Sequence, residues 1–284
     1  MEIQTVAIIG AGTMGAGIAQ ATALGSYRVI LYDISHDLLE KAADHIFALI
    51  DKGVSLGKVE EEAAAMARDA LSLTTAWHDV AAADLVIEAV PEKLPLKQEI
   101  FGRLDGLVGD HAILASNTSS LSINALAGAT NRPQRLVGLH FFNPAHIMRL
   151  VEIIRGDDTS EETLAAAAAF VARLGKTAVH CADTPGFIVN RVARPFYGEA
   201  FRLLGEGAAD VPTIDRLVES LGFRMGPFTL VDLIGCDVNY DVTRAVYEAY
   251  FHEPRYRPHP LQRRMVESGR LGRKSGRGFY NYTG

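Results

Sequence analysis

Cysteine is scarce in this chain of 284 residues. Cys181 and Cys236 are its only two; they lie far apart, form no CxxC pair and join no cluster of metal-ligand residues. That pattern excludes a disulfide framework or a thiolate metal centre and points to a reducing, cytoplasmic setting in which each is a small buried hydrophobe. Basic charge is also in deficit. The net charge is -6 with an isoelectric point near 5.9, and no basic stripe is present, so nucleic acid is a poor partner. Long apolar runs are missing too: charges or glycines interrupt each one well short of a membrane span. The amino terminus, MEIQTVAIIGAG, lacks a basic segment followed by a long apolar core, and we expect neither signal peptide nor membrane anchor. Internal repeats and low-complexity tracts are absent; the alanine run at 165–169 is simply good helix former.

What is present is alternation. TVAIIG, YRVILYD, ADLVIEAV and AILASN are short apolar runs suited to strands covered on both faces, and helical patterns over roughly 13–24, 37–50 and 94–107 separate them. Strand and helix in turn predict an α/β domain with a parallel sheet. The charged, alanine-rich stretch 52–69 reads as the turn and second arm of a helical hairpin inserted in that domain, with a solvated surface excursion equally open. Beyond Asp183 the texture becomes helical. Thr184-Pro185 suggests a cap and first-turn proline for a long helix reaching Glu206, with further helices near 213–221, 228–234, 237–251 and 261–268. The expected division is an α/β domain over 1–184 and an all-α domain over 185–284.

Gly10-Ala11-Gly12-Thr13-Met14-Gly15 follows the first strand and opens a helix. Gly10 permits the tight turn, Gly12 lets the backbone approach a pyrophosphate, and Gly15 lets helix and strand pack closely; the amides of Thr13 and Met14 would face the anion. Asp33 ends the second strand about twenty residues on, where a carboxylate accepts from the adenosine ribose and repels the extra phosphate of NADP; a cap for the following helix is its alternative role. Loop and acid together predict a Rossmann-type NAD site. The stretch GLHFFNPAHIMRLVEII then offers two strands joined by a loop carrying Asn143 and Pro144. Leu150, Glu152 and Ile154 share one face of the second. A lone carboxylate there is costly to bury, and a nearby imidazole from His140 would relieve it, giving a general base and its orienting acid. From the residues alone, a structural histidine and a separately paired glutamate stand equally open. No metal-ligand set is clustered, and no metal is expected.

These segments, with GAGTMGAGIAQ, SNTSS, TPGFIVNR and GRKSGRGFY, resemble the 3-hydroxyacyl-CoA dehydrogenase family over nearly the whole chain and in the same order. The resemblance implies a Rossmann-type NAD domain with a helical-hairpin insertion, a helical carboxyl-terminal domain forming a homodimer interface, and NAD-dependent oxidation of (S)-3-hydroxyacyl-CoA in fatty acid metabolism and β-oxidation. It implies His140 as base and Glu152 as its partner. Ser119 would lie near substrate and nicotinamide, and Asn190 would hydrogen-bond the substrate. Asn143, Glu92, Lys97 and Lys274 would lie at the cofactor. Blander roles stay open: a helix cap for Ser119, a helix cross-link for Asn190, solvated surface for Glu92, Lys97 and Lys274. At the CoA end simple offset puts Ala43 and Ile50 where the family has serine and lysine, so the match fails or an alignment gap intervenes; for Lys52 and Lys58 a solvated face is favoured over a substitute role. FRMGP, HFFNPAHIMRLVEI and DLIGCDVNYDV look closer to the 3-hydroxyadipyl-CoA type, from phenylacetate catabolism, than to the 3-hydroxybutyryl-CoA type. Arg224 would there meet a distal carboxylate, with a surface salt bridge its equal alternative. Two other functions are carried: another NAD-dependent hydroxyacid dehydrogenase, or a non-catalytic NAD-binding structural or sensor protein.

Overall fold

In the computed structural model, residues 2–283 are described. The chain divides into two compact units, Met1–Thr184 and Pro185–Gly284. The first runs β1 (Thr5–Ile9), α1 (Thr13–Leu24), β2 (Arg28–Tyr32), α2 (His36–Ser55), α3 (Glu61–Asp69), β3 (Leu71–Thr74), β4 (Leu85–Glu88), α4 (Leu94–Asp105), β5 (Ile113–Ser116), α5 (Ile123–Ala127), β6 (Leu136–Phe141), β7 (Leu150–Arg155), α6 (Glu161–Arg173) and β8 (Thr177–Ala182).

Eight strands form one sheet in the order β3-β2-β1-β4-β5-β6-β7-β8. The strands from β1 to β6 pair in parallel. The order turns back on either side of β1 and β4, which places the crevice of a doubly wound sheet at their carboxyl ends. The expected α/β Rossmann-type domain with a hairpin insertion is observed, and α2 and α3 are the two arms of that hairpin. Beyond the parallel strands the sheet is mixed: β7 runs antiparallel to β6, and β8 parallel to β7. Eight residues join β6 to β7, too few for a crossover helix, so only a reversal is possible. Two strands were not anticipated. β3 (LSLT) and β8 (TAVHCA) are the sheet edges, and neither has a continuous buried run.

The helices follow from their sequences. Leu39, Ala42, Ala43, Ile46 and Ile50 are the buried residues of α2, an apolar stripe at helical spacing; Ser35 caps it by accepting the Leu38 N–H at 3.3 Å. In α1, Gly15, Ala16, Gly17, Ala19, Ala21 and Ala23 are buried, and their small size lets the helix lie close to the sheet. A Cβ at Gly17 would stand 3.1 Å from that of Ala145.

The second unit comprises α7 (Val189–Gly205), α8 (Val211–Ser220), α9 (Pro227–Ile234), α10 (Cys236–Ala249) and α11 (Pro260–Glu267). Phe201, Ile214, Phe228, Val231 and Met265 are buried in its core. The closing segment makes only isolated bridges, Gly272 with Arg277 and Arg277 with Asn281. The long helix begins at Val189 rather than at Pro185. Gly186 and Phe187 have φ of 75° and 50°, a left-handed pair that cannot continue a right-handed helix.

Candidate active site: a glycine loop and a buried histidine–glutamate pair

The glycine loop leaves β1 in the conformation its sequence requires. Gly10 has φ of 103° and donates its N–H to the Tyr32 carbonyl at 2.8 Å. A Cβ on Gly15 would sit 1.8 Å from the Gly10 carbonyl oxygen, whereas one on Gly12 would meet no protein atom within 4 Å. The first and third glycines therefore serve the fold, and the second leaves room above the helix end. Helix α1 has no side-chain cap and no acidic residue in its first turn, so the amides at Thr13 and Met14 are suited to an anion. The Asp33 carboxylate reaches into the loop: one oxygen accepts the Ala11 N–H at 2.8 Å and the other the Ser35 N–H at 3.0 Å. Ser35, not Asp33, caps the helix. These residues fit a dinucleotide phosphate with an acid at the ribose position.

Across the crevice, the antiparallel register sets His140 directly opposite Glu152. Side chains at directly opposed positions lie on the same face of the sheet. His140 Nδ1 lies 2.7 Å from a Glu152 carboxylate oxygen, and their side chains are 7% and 1% exposed. The Phe142 ring packs against the imidazole with centroids 4.4 Å apart. Asn117, in the loop after β5, accepts the Phe141 N–H at 2.9 Å, tying that loop to the end of β6. Asn143 is exposed in the turn that follows.

The loop bearing Ser119 is held by Glu92. One Glu92 oxygen accepts from the Thr118 hydroxyl at 2.5 Å, the Ser119 N–H at 2.9 Å and the Ser120 N–H at 3.2 Å. Burial pushes this carboxyl upward, but the Lys97 charge and the Thr118 and Ser119 donors outweigh it and hold it below the usual range. Lys97 is not solvated surface: it is 1% exposed. Ser119 does not cap the next helix; Ser122 does, accepting the Ala125 N–H at 3.1 Å. Glu88, which sequence reasoning missed, joins this group by accepting from Lys97 at 2.7 Å. A carboxylate ending the otherwise apolar strand LVIE was the available signal.

The remaining residues belong to the second unit. Asn190 is half-buried in the first turn of α7, and its carbonyl accepts from Arg194 at 3.1 Å. Arg194 is buried and also donates to the Asn239 carbonyl and the Thr243 hydroxyl; burial draws its pKa down to about 10. Lys274 pairs with Asp237 at 2.6 Å. Arg224 is exposed, as is Phe223 beside it. In the hairpin of the first unit, Ala43 and Ile50 are core residues at 6% and 0% exposure, so neither is a ligand contact; Lys52 and Lys58 are exposed. Cys181 and Cys236 are both free thiols. Burial first, then the charges of Glu152 and Asp183, push Cys181 up to about 12; burial likewise raises Cys236 to about 12.

Fold and site together define a dinucleotide-binding dehydrogenase that carries a histidine–carboxylate pair. Residues 5–184 match the 3-hydroxyacyl-CoA dehydrogenase NAD binding domain, and residues 186–282 match the same family's C-terminal domain. The chain belongs to the 3-hydroxyacyl-CoA dehydrogenase family, whose members are NAD-dependent oxidoreductases. It is 46% identical over 283 residues to a 3-hydroxyadipyl-CoA dehydrogenase of Escherichia coli, covering 99% of this chain and 60% of the relative. It is 43% identical over 283 residues to a 3-hydroxybutyryl-CoA dehydrogenase of Mycobacterium tuberculosis, covering 99% of each. A crystal structure of (S)-3-hydroxybutyryl-CoA dehydrogenase from Ralstonia eutropha superposes with a TM-score of 0.95 at 43% identity, covering 100% of both chains. The chain thus spans about three fifths of the E. coli relative and the full length of the Ralstonia structure. The family and NAD expectations drawn from the sequence are met.

Proposed function

We propose that this chain oxidises (S)-3-hydroxyacyl-CoA to 3-ketoacyl-CoA with NAD, using His140 as general base and Glu152 as its orienting partner. The observation that carries the reading is the buried 2.7 Å contact between His140 Nδ1 and Glu152, close to the sheet's ligand-binding edge. With Nδ1–H donated to the carboxylate, Nε2 holds the lone pair and is the nitrogen that accepts the substrate hydroxyl proton. The ionised Glu152 stabilises the imidazolium that results. Bound NAD supplies the hydride acceptor for the hydrogen leaving C3. We assign Ser119 to the substrate hydroxyl and Asn190 to the thioester region, roles that would orient the reacting group. Gly12, Thr13 and Met14 hold the pyrophosphate, and Asp33 the ribose. Asn143 and Lys274 are assigned to the cofactor on the family resemblance alone.

A catalytic base of this kind disfavours the two alternatives. A purely structural or sensor NAD protein has no need of a buried base at the carboxyl end of its sheet. The acyl group is of the kinds named for the relatives, 3-hydroxybutyryl or 3-hydroxyadipyl. Arg224 is solvent-facing and makes no ion pair among the described residues, which suits a distal carboxylate. We further place the protein in the cytoplasm, on the two free thiols. We read it as a homodimer through the second unit, on the exposed Val192, Leu217, Leu221 and Phe251. No helix among the described residues is long and apolar enough to cross a membrane.

The test is NADH formation from NAD with each hydroxyacyl-CoA. Turnover that needs both substrates supports the reading, and its absence with every hydroxyacyl-CoA contradicts it. Arg224→Ala should lower kcat/KM for hydroxyadipyl-CoA by about 10-fold or more and leave hydroxybutyryl-CoA unchanged; equal effects would remove Arg224 from specificity.

A further inference from the structure

Strand β6 outruns its parallel neighbour. The β5–β6 pairing ends at Ser116 opposite Gly138, whereas β6 continues to Phe141. His140 stands on that overhang, paired on one side with Glu152 of β7. On the other side β5 has ended, yet Phe141 is 2% exposed, and a buried N–H without an acceptor is costly. The Asn117 side chain fills the gap: its Oδ1 accepts the Phe141 N–H at 2.9 Å. The donor is a main-chain amide, so the accepting atom of Asn117 is its oxygen. Phe141 turns its N–H toward β5, and the alternation of an antiparallel ladder then turns the His140 main-chain groups toward Glu152. Asn117 is itself held, its N–H donating to the Glu88 carbonyl at 2.8 Å.

We propose that Asn117 is a positioning residue for the reaction: through the Phe141 amide it sets the end of β6, and so the place of the His140 imidazole relative to Ser119. This rests on the function proposed above. Ser119 lies two residues beyond Asn117, so one side chain joins the segment that carries the base to the segment that carries the substrate contact. The hold bears on the imidazole in two ways. Phe141 directly follows His140 in the chain, and Phe142, next in line, packs its ring on the imidazole with centroids 4.4 Å apart. A strand end needing only an acceptor could take a carbonyl from a longer β5. Ending β5 at Ser116 frees the chain to turn out toward Ser119, and the Asn117 amide keeps the strands tied where the ladder stops.

The experiment compares wild type with Asn117→Ala, which removes the acceptor, and Asn117→Asp, which keeps an oxygen at the same reach. Hydrogen exchange of the Phe141 amide reads the bond without reference to activity. At saturating NAD, kcat and KM for hydroxyacyl-CoA read placement apart from cofactor binding. In Asn117→Ala the proposal expects Phe141 exchange to rise about 10-fold or more. It expects kcat to fall about 10-fold or more, with KM within about 3-fold. Asn117→Asp should bring both exchange and kcat back to within about 3-fold of wild type. Unchanged Phe141 exchange in Asn117→Ala would overturn the proposal, and so would faster exchange with kcat kept, the result of a purely structural cap. If Asn117→Ala fails to fold, Asn117→Asp decides the matter. A protected Phe141 amide with kcat kept supports the proposal; a protected amide with kcat lost about 10-fold or more overturns it, because the amide nitrogen would then serve the reaction. Wild type inactive on all hydroxyacyl-CoA substrates would refute the proposed function, while Phe141 protection lost in Asn117→Ala and regained in Asn117→Asp would still support the hold on β6.

Discussion

Asp33 ties the end of the second strand to the glycine loop: its carboxylate accepts the Ala11 N–H at 2.8 Å. The same group therefore shapes the loop before any cofactor arrives and offers its remaining lone pairs to a ribose. Asp33→Ser should remove the charge that repels a 2′-phosphate. We expect the ratio of kcat/KM for NADP to that for NAD to rise about 10-fold or more, with KM for NAD increased. A ratio that does not move would show that Asp33 serves the loop alone.

Two glycines of one motif should fail differently. Gly15→Ala forces a Cβ to 1.8 Å from a backbone oxygen, a clash that only backbone movement relieves. It should lower the stability of the protein without cofactor by about 1–3 kcal/mol, seen as a drop in Tm. Gly12→Ala meets nothing within 4 Å and should cost about 1 kcal/mol or less, through the cap position. Its effect should appear in NAD affinity, weakened about 10-fold or more as the methyl occupies the phosphate's approach. Equal Tm losses for both would contradict this division.

Acid should loosen the approach to β6. Asp105 accepts from the Asn131 N–H, the Asn131 side chain and Arg132 Nε at 3.0, 2.8 and 2.7 Å. Burial raises its carboxyl, but these donors and the Arg132 charge outweigh it and hold it below the ordinary value of 3.8. A native pKa below the unfolded one adds stability that is fully present above the unfolded value and is lost as pH falls through the native one. The stability difference between wild type and Asp105→Asn should therefore hold from neutrality down to about pH 4 and shrink below it. Denaturant unfolding across that range checks the sign; a gap that widens in acid would be wrong.

Much of the fold was legible because its central strands are short apolar runs between helical patterns, and because the glycine loop and Asp33 fall at a spacing that chemistry constrains. The edges were not. β3 and β8 have neighbours on one side only, and their half-exposed residues carry no periodic signal strong enough to separate them from loop. The start of α7 was misread because Thr184-Pro185 imitates a cap, while the left-handed φ of Phe187 is tertiary in origin and invisible in composition. In the site, Glu152 stood out as an acid between apolar neighbours, yet only the reversed register of β7 sets it against His140. Solvated surface stayed open for Lys97 because its partners Glu88 and Glu92 are brought to it by the end of a strand and a turn, not by helical spacing.

The most direct test of the central claim is a single-turnover measurement of NADH formation with saturating 3-hydroxyacyl-CoA, comparing wild type with His140→Gln and Glu152→Gln. General-base assistance is worth about 10²–10⁴-fold, so His140→Gln should slow hydride transfer by at least that lower figure and Glu152→Gln by about 10-fold or more, with NAD affinity kept. Hydride transfer within a few-fold of wild type in His140→Gln would contradict the account.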